Sequence, residues 1–256
     1  MSADAILVRI DGPIARLTLN RPERLNAMDF AMGERWREAT RQVVDDPSVG
    51  AVILDAAGSA FCAGGDVIAM STSGADGAAV TSAAHVIHEG IRTLVGSGKP
   101  IVAAVQGAVA GGGLGLLLCA DYVVAAPRAS FVSRYANIGL TPDLGVSTLL
   151  PAAIGQRRAL QLLLQDRALT ADEALDWGLV AEVVDDPAAR VAEIAQFWAD
   201  GATAAFGQAK RLIRSGPLRP FTENLDDEAR TIGAAFDTAE SRARVAAFAA
   251  ASARRR

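Results

Sequence analysis

A chain of 256 residues with 51% hydrophobic and 21% charged side chains has a soluble globular composition, which excludes a disordered chain and allows one large domain or a domain with an appendage. The net charge of −4 argues against nucleic acid as a partner, because such binders carry a basic surplus. The longest apolar stretch, residues 114–120, is broken by Gly115 and is far shorter than the roughly 20 residues of a membrane span, so no membrane is expected.

In chain order, residues 5–10 and 14–19 are β-prone runs joined by Asp11-Gly12-Pro13, which reads as a hairpin. Residues 29–44 place Met32, Trp36, Ala39 and Val43 at helical spacing behind an Asp29 cap. Continuous apolar runs at 51–56 and 101–105 read as buried strands, with a helix at 84–94 between them. Three glycines then open a short helix at 112–120, followed by short strands at 122–126 and 130–132. This alternation predicts an α/β core. From about residue 187 only helical patterns follow, at 191–198, 203–215, 225–236 and 241–253. A boundary is expected near residue 195, with a core over 1–195 and a helical region over 196–256. Arg254-Arg255-Arg256 reads as a solvated tail. Cys62 and Cys119 lie outside any CxxC pair, and Met1-Ser2-Ala3-Asp4 carries no leader pattern. A reduced, cytoplasmic protein is the expectation.

Several chemistries find no motif. There is no GxSxG elbow, and Gly113 stands where a P-loop needs its lysine. Leu116 occupies the last glycine position of a GxGxxG pattern. His85 and His88 share one helix face but have no cysteine placed to complete a metal site, so no metal is expected. Two glycine clusters remain, Phe61-Cys62-Ala63-Gly64-Gly65-Asp66 after one strand and Ala110-Gly111-Gly112-Gly113 after the next. Such loops either make tight turns or aim main-chain N–H groups at one oxygen, an arrangement suited to an oxyanion.

With Asn20-Arg21-Pro22-Glu23-Arg24-Leu25-Asn26-Ala27-Met28 before these clusters, and Ile138-Gly139-Leu140-Thr141-Pro142-Asp143 and Ala174-Leu175-Asp176-Trp177-Gly178-Leu179-Val180 after them, the chain resembles the crotonase (enoyl-CoA hydratase/isomerase) superfamily. The resemblance implies a spiral of ββα units with a helical C-terminal trimerisation region, assembled as a homotrimer or a dimer of trimers. It implies an acyl-CoA substrate, with coenzyme A present only as part of that substrate and no separate cofactor. The N–H groups of Gly65 and Gly112 would form the oxyanion hole. Arg24, Leu25 and Ala27 would flank the CoA, and Ala63 and Asp66 would lie near its adenine end.

Hydratases of the superfamily use two glutamates, and at the matching positions this chain has Gly115 and Tyr135, with Tyr135 expected to line the substrate site. Asp143 instead stands where several isomerases carry a catalytic aspartate. The resemblance over 129–184 is strongest to 1,2-epoxyphenylacetyl-CoA and enoyl-CoA isomerases. One carboxylate suffices for such a proton transfer, and Leu140, Leu144 and Val146 are expected to give Asp143 an apolar setting. The other reading of Asp143 is a cap on a helix starting near Leu144. Competing activities are hydration by an altered mechanism, thioester hydrolysis, aryl-CoA dehalogenation with Asp143 as nucleophile and His88 as base, and acyl-CoA binding without turnover. Residues 68–84 are expected to line the acyl tunnel as a mobile loop.

Overall fold

The computed structural model describes residues 5–254; residues 1–4 and the last two arginines of the basic tail lie outside them. The elements run β1 (Ile6–Asp11), β2 (Ile14–Leu19), α1 (Phe30–Asp45), β3 (Ala51–Ala56), α2 (Val67–Thr72), α3 (Gly77–Gly96), β4 (Ile101–Val105), β5 (Ala108–Ala110), α4 (Gly112–Leu117), β6 (Tyr122–Ala125) and β7 (Ser130–Val132). Then follow α5 (Val146–Ile154), α6 (Gln156–Leu164), β8 (Ala168–Thr170), α7 (Ala171–Trp177), β9 (Glu182–Val183), α8 (Pro187–Asp200), α9 (Thr203–Ser215), α10 (Phe221–Phe236) and α11 (Ala239–Ala253).

The hairpin closes with Asp11 opposite Ile14. From β2 onward the main sheet is parallel, in the order β1-β2-β3-β4-β6-β9. Parallel central strands are covered on both faces, hence the uninterrupted apolar runs of β3 and β4. Their side chains alternate between two packed layers. Val52, Leu54, Ile101 and Ala103 join the larger core with Trp36 of α1 and Leu94 of α3, while Ala51, Ile53, Val102 and Ala104 meet Val191, Ile194 and Ala195 of α8. The boundary expected near residue 195 therefore falls inside a helix that packs on the sheet.

After β4 and β6 the chain adds one more short strand each, β5 and β7, and these form a second sheet with β8. Cys62 bridges to Val109, so the loop after β3 joins the same edge. Strands laid alternately into two sheets, each unit followed by a helix, make the expected α/β spiral of ββα units.

Asp29 caps α1 as expected, its Oδ1 accepting from the Met32 N–H at 2.8 Å. The stretch expected as a loop over 68–84 is instead helical: α2 is capped by Asp66, and α3 begins at Gly77 behind Asp76, whose carboxylate accepts from the Ala79 N–H. Small residues there hid the period because few of them are apolar enough to mark a face. In the C-terminal region, buried Lys210 pins α9 to the core, donating to the carbonyls of Leu94 and Lys99 at 3.0 and 2.9 Å and pairing with Asp121 at 3.0 Å. Arg211 and Arg219 grip Asp227 and tie α9 to α10. Ile232, Phe236, Val245 and Phe248 on α10 and α11 are exposed.

Candidate active site

The segment before α1 and the first glycine cluster fold against each other. Leu25 and Asn26 both take positive φ, 51° and 55°. The Ala63 N–H donates to the Leu25 carbonyl at 3.0 Å, the Met28 N–H to Gly64 at 2.7 Å, and the Asp66 N–H to Met28 at 2.9 Å. Arg24, Leu25, Ala27, Ala63, Gly65 and Asp66 are thereby brought together. Asp66 is buried at 3% exposure, accepts from the Ala69 N–H, and pairs with Arg24 at 2.9 Å and Arg21 at 3.3 Å. Burial raises the proton affinity of its carboxyl, but hydrogen bonds from Arg24 and Ala69 outweigh this and hold it below the usual carboxylate range. Its carboxylate is thus committed to orienting Arg24, whose side chain is 37% exposed. Leu25 is exposed beside it, and Ala27 is buried with its carbonyl bound by Arg21.

The second cluster packs directly on the first. Gly64, at φ 96°, sits so close to the next loop that a Cβ would lie 2.9 Å from the Ala110 carbonyl and 3.2 Å from the Gly112 nitrogen. A Cβ on Gly113 would lie 2.4 Å from the Cys62 carbonyl oxygen. Two N–H groups are left over by this arrangement. Gly112 opens α4, and the first N–H groups of a helix have no carbonyl within it. The bridge between Met28 and Gly65 uses the N–H groups of Met28 and Asp66, leaving that of Gly65 outside its hydrogen bonds. Cys62 itself is buried, its thiol pushed up to about 11 by burial, which removes thiolate chemistry near neutral pH.

The turn carrying Asp143 closes over α4. The Tyr135 hydroxyl donates to Asp143 Oδ1 at 2.6 Å, and a Cβ on Gly112 would lie 3.8 Å from that hydroxyl. Burial raises the proton affinity of Tyr135 most, followed by the charge of Asp143, so the phenol stays protonated. The cap reading of Asp143 fails: α5 starts at Val146, and its N-cap, Gly145, makes no side-chain cap hydrogen bond. Leu144 and Val146 are buried as expected, but Leu140 is exposed, and so is Asp143 itself. Glu89, an acid one residue beyond His88 on α3, pairs with Arg41 at 2.6 Å.

Gly115, which the resemblance aligns with the first hydratase glutamate, has no room for a side chain. A Cβ there would lie 2.3 Å from the Leu144 carbonyl oxygen and 2.6 Å from its Cβ. Leu144 holds a left-handed φ of 51°, and its N–H donates to His88 Nε2 at 3.2 Å. Sequence reasoning did not find this contact, because a residue on α3 and one in a distant turn share no spacing pattern.

The family model for enoyl-CoA hydratase/isomerase matches residues 9–253. The chain is 34% identical over 247 residues to the 1,2-epoxyphenylacetyl-CoA isomerase of Escherichia coli, covering 95% of this chain and 94% of that protein. It is 33% identical over 239 residues to 4-chlorobenzoyl coenzyme A dehalogenase-2 of Arthrobacter, covering 92% and 87%. The crystal structure of an enoyl-CoA hydratase from Polaromonas superposes with a TM-score of 0.90 at 28% identity, covering 96% of each chain. Sequence, fold and the two interlocked glycine loops agree, and the chain belongs to the enoyl-CoA hydratase/isomerase family.

Proposed function

We propose that the protein is an enoyl-CoA isomerase, moving a double bond or opening a ring epoxide, with Asp143 as the proton-transferring base. The observation that carries this reading is the pairing at α4: Asp143 is held by Tyr135 beside Gly112, while Leu144 fills the space a glutamate at 115 would need. The substrate's thioester carbonyl sits between the Gly65 and Gly112 N–H groups, with the CoA along Arg24, Leu25, Ala27, Ala63 and Asp66. With Oδ1 bound by Tyr135, Oδ2 takes a proton from C2 of a 3-enoyl thioester. The electron pair delocalises into a dienolate whose charge rests on the thioester oxygen, where two preorganised donors stabilise it; losing one costs about 3–4 kcal/mol in comparable sites. Asp143 then returns the proton to C4, leaving the double bond between C2 and C3.

The test is conversion of 3-enoyl-CoA to 2-enoyl-CoA by the parent and by Asp143→Asn. The variant should still bind acyl-CoA but turn over roughly 10²–10⁴-fold more slowly. Turnover within about threefold of the parent would place the base elsewhere.

One observation favours a second reading, aryl-CoA dehalogenation: His88 Nε2 lies 3.2 Å from the N–H of Leu144, the residue next to Asp143. Against it, Nε2 of His88 is already occupied by the Leu144 N–H. Chloride release from an aryl-CoA would decide for dehalogenation.

A further inference from the structure

The turn at 143–145 is held from three sides. From α4, the absence of side chains at 112 and 115 admits Leu144, whose Cδ1 lies 2.9 Å from where a Gly112 Cβ would be. From α3, Ile91 Cγ2 lies 3.9 Å from where a Gly145 Cβ would be, and His88 Nε2 accepts the Leu144 N–H at 3.2 Å. From within the turn, the Val146 N–H donates to the Asp143 carbonyl at 3.0 Å. A leucine at φ 51° is strained, and such a residue persists only where its surroundings over-determine it. Among the described residues, His88 alone accepts that residue's N–H from outside the turn.

Resting on the isomerase reading, we propose that His88 is a positioning residue: its neutral imidazole, through the Leu144 N–H, fixes the turn that aims the Asp143 carboxylate beside Gly112. An imidazole that accepts at Nε2 carries its proton on Nδ1. Protonation would replace the acceptor with a second donor facing the Leu144 N–H and release the turn. Burial lowers the proton affinity of His88; the charge of Asp143, facing it from the turn, raises it; Arg92 and His85 on α3 lower it. The balance lies below the usual histidine range and favours the neutral form at physiological pH.

Two variants test this. His88→Leu removes the acceptor, and the released turn should lower kcat roughly 10–100-fold with KM nearly unchanged, the scale set by a misplacement of about 1 Å. His88→Gln retains an acceptor that does not titrate. It should recover most of kcat and lose the histidine's acid limb, which in the parent is expected below the usual histidine range. Parental kcat in a folded His88→Leu protein would overturn the proposal. So would a folded His88→Gln protein as slow as His88→Leu, since the imidazole would then act chemically and not through its acceptor. A parent that does not isomerise would overturn the proposed function, yet His88 can still be judged separately. The chain has two histidines, and His88→Gln assigns their imidazole nitrogen resonances. A neutral His88 protonated at Nδ1 supports the proposal, and one protonated at Nε2 refutes it.

Discussion

Gly115→Ala should destabilise the protein and slow it, although alanine is the better helix former. In a helix interior that exchange ordinarily gains about 1 kcal/mol. Here the new methyl would lie 2.3 Å from the Leu144 carbonyl oxygen, 2.6 Å from its Cβ and 3.0 Å from its carbonyl carbon. Ordinary carbon contacts lie near ~3.5–4.0 Å, so roughly 1 Å must be opened. The opposing oxygen and carbonyl carbon are main-chain atoms of a residue already left-handed and bound by His88, so no flexible side chain can absorb the shift. Overpacking of this kind costs about 1–3 kcal/mol and occasionally more. The net expectation is up to about 2 kcal/mol of destabilisation, read from urea unfolding. Asp143 adjoins the displaced residue, and a misplacement near 1 Å lowers kcat by roughly 10²-fold. KM should hold within about threefold, because Arg24 and its neighbours lie on other loops. A Gly115→Ala protein more stable than the parent and equally fast would show that Leu144 is not held where the structure puts it. Gly115→Glu restores the hydratase carboxylate without the space for it; hydration of 2-enoyl-CoA by that variant would refute the argument.

The remaining predictions concern binding, docking and assembly. Arg24→Ala should weaken CoA binding in calorimetry, and an unchanged Kd would remove Arg24 from the site. Asp66→Asn should cost about 1–3 kcal/mol, since Arg24 is partly exposed and its pairing screened. A depressed folded-state affinity for protons stabilises the fold above the unfolded carboxylate range and is lost as pH falls through the folded value. The parent should therefore lose stability below about pH 4 more steeply than Asp66→Asn in acid unfolding; parallel curves would refute this. Lys210→Ala removes a buried ammonium from the Leu94 and Lys99 carbonyls and from Asp121 and should cost about 3 kcal/mol in chemical unfolding; a loss under about 1 kcal/mol would mean that Lys210 does not pin α9. The exposed apolar side chains of α10 and α11 are expected to be covered in a homotrimer or a dimer of trimers, and a monomer in light scattering at micromolar concentration would refute that.

How much of this was legible in the sequence depended on how far each interaction reaches along the chain. The hairpin, the Asp29 cap and the apolar runs of β3 and β4 are local and periodic, and each stands where the pattern put it. The start of α3 was missed because Gly77, Ala78 and Ala79 carry no amphipathic signal, leaving only Asp76 to mark the end. β8 and β9 are too short to show alternation. At the site, the motifs named Asp143, Gly65 and Gly112, but not what holds them. Arg24 is oriented by Asp66, 42 residues away, a pairing that no local spacing announces. Likewise the glycine at 115 is explained only by Leu144, which the fold and not the sequence brings to it.

Both N–H groups at the interlocked glycine loops belong to the main chain, and that shapes how such a protein drifts. Of the ordinary substitutions only proline deletes an N–H outright. At Gly64 and Gly113, where any Cβ would press on the facing loop's backbone, larger residues are barred by space. The side chains of Tyr135 and Asp143 are under no such restriction: they stand on a separate segment joined to α4 by packing. On the proposed reading, the acid, base or nucleophile carried there can be exchanged while the main-chain N–H groups that would grip a carbonyl stay unchanged. Named relatives that include an isomerase and a dehalogenase are what that division of labour between backbone and side chain would produce.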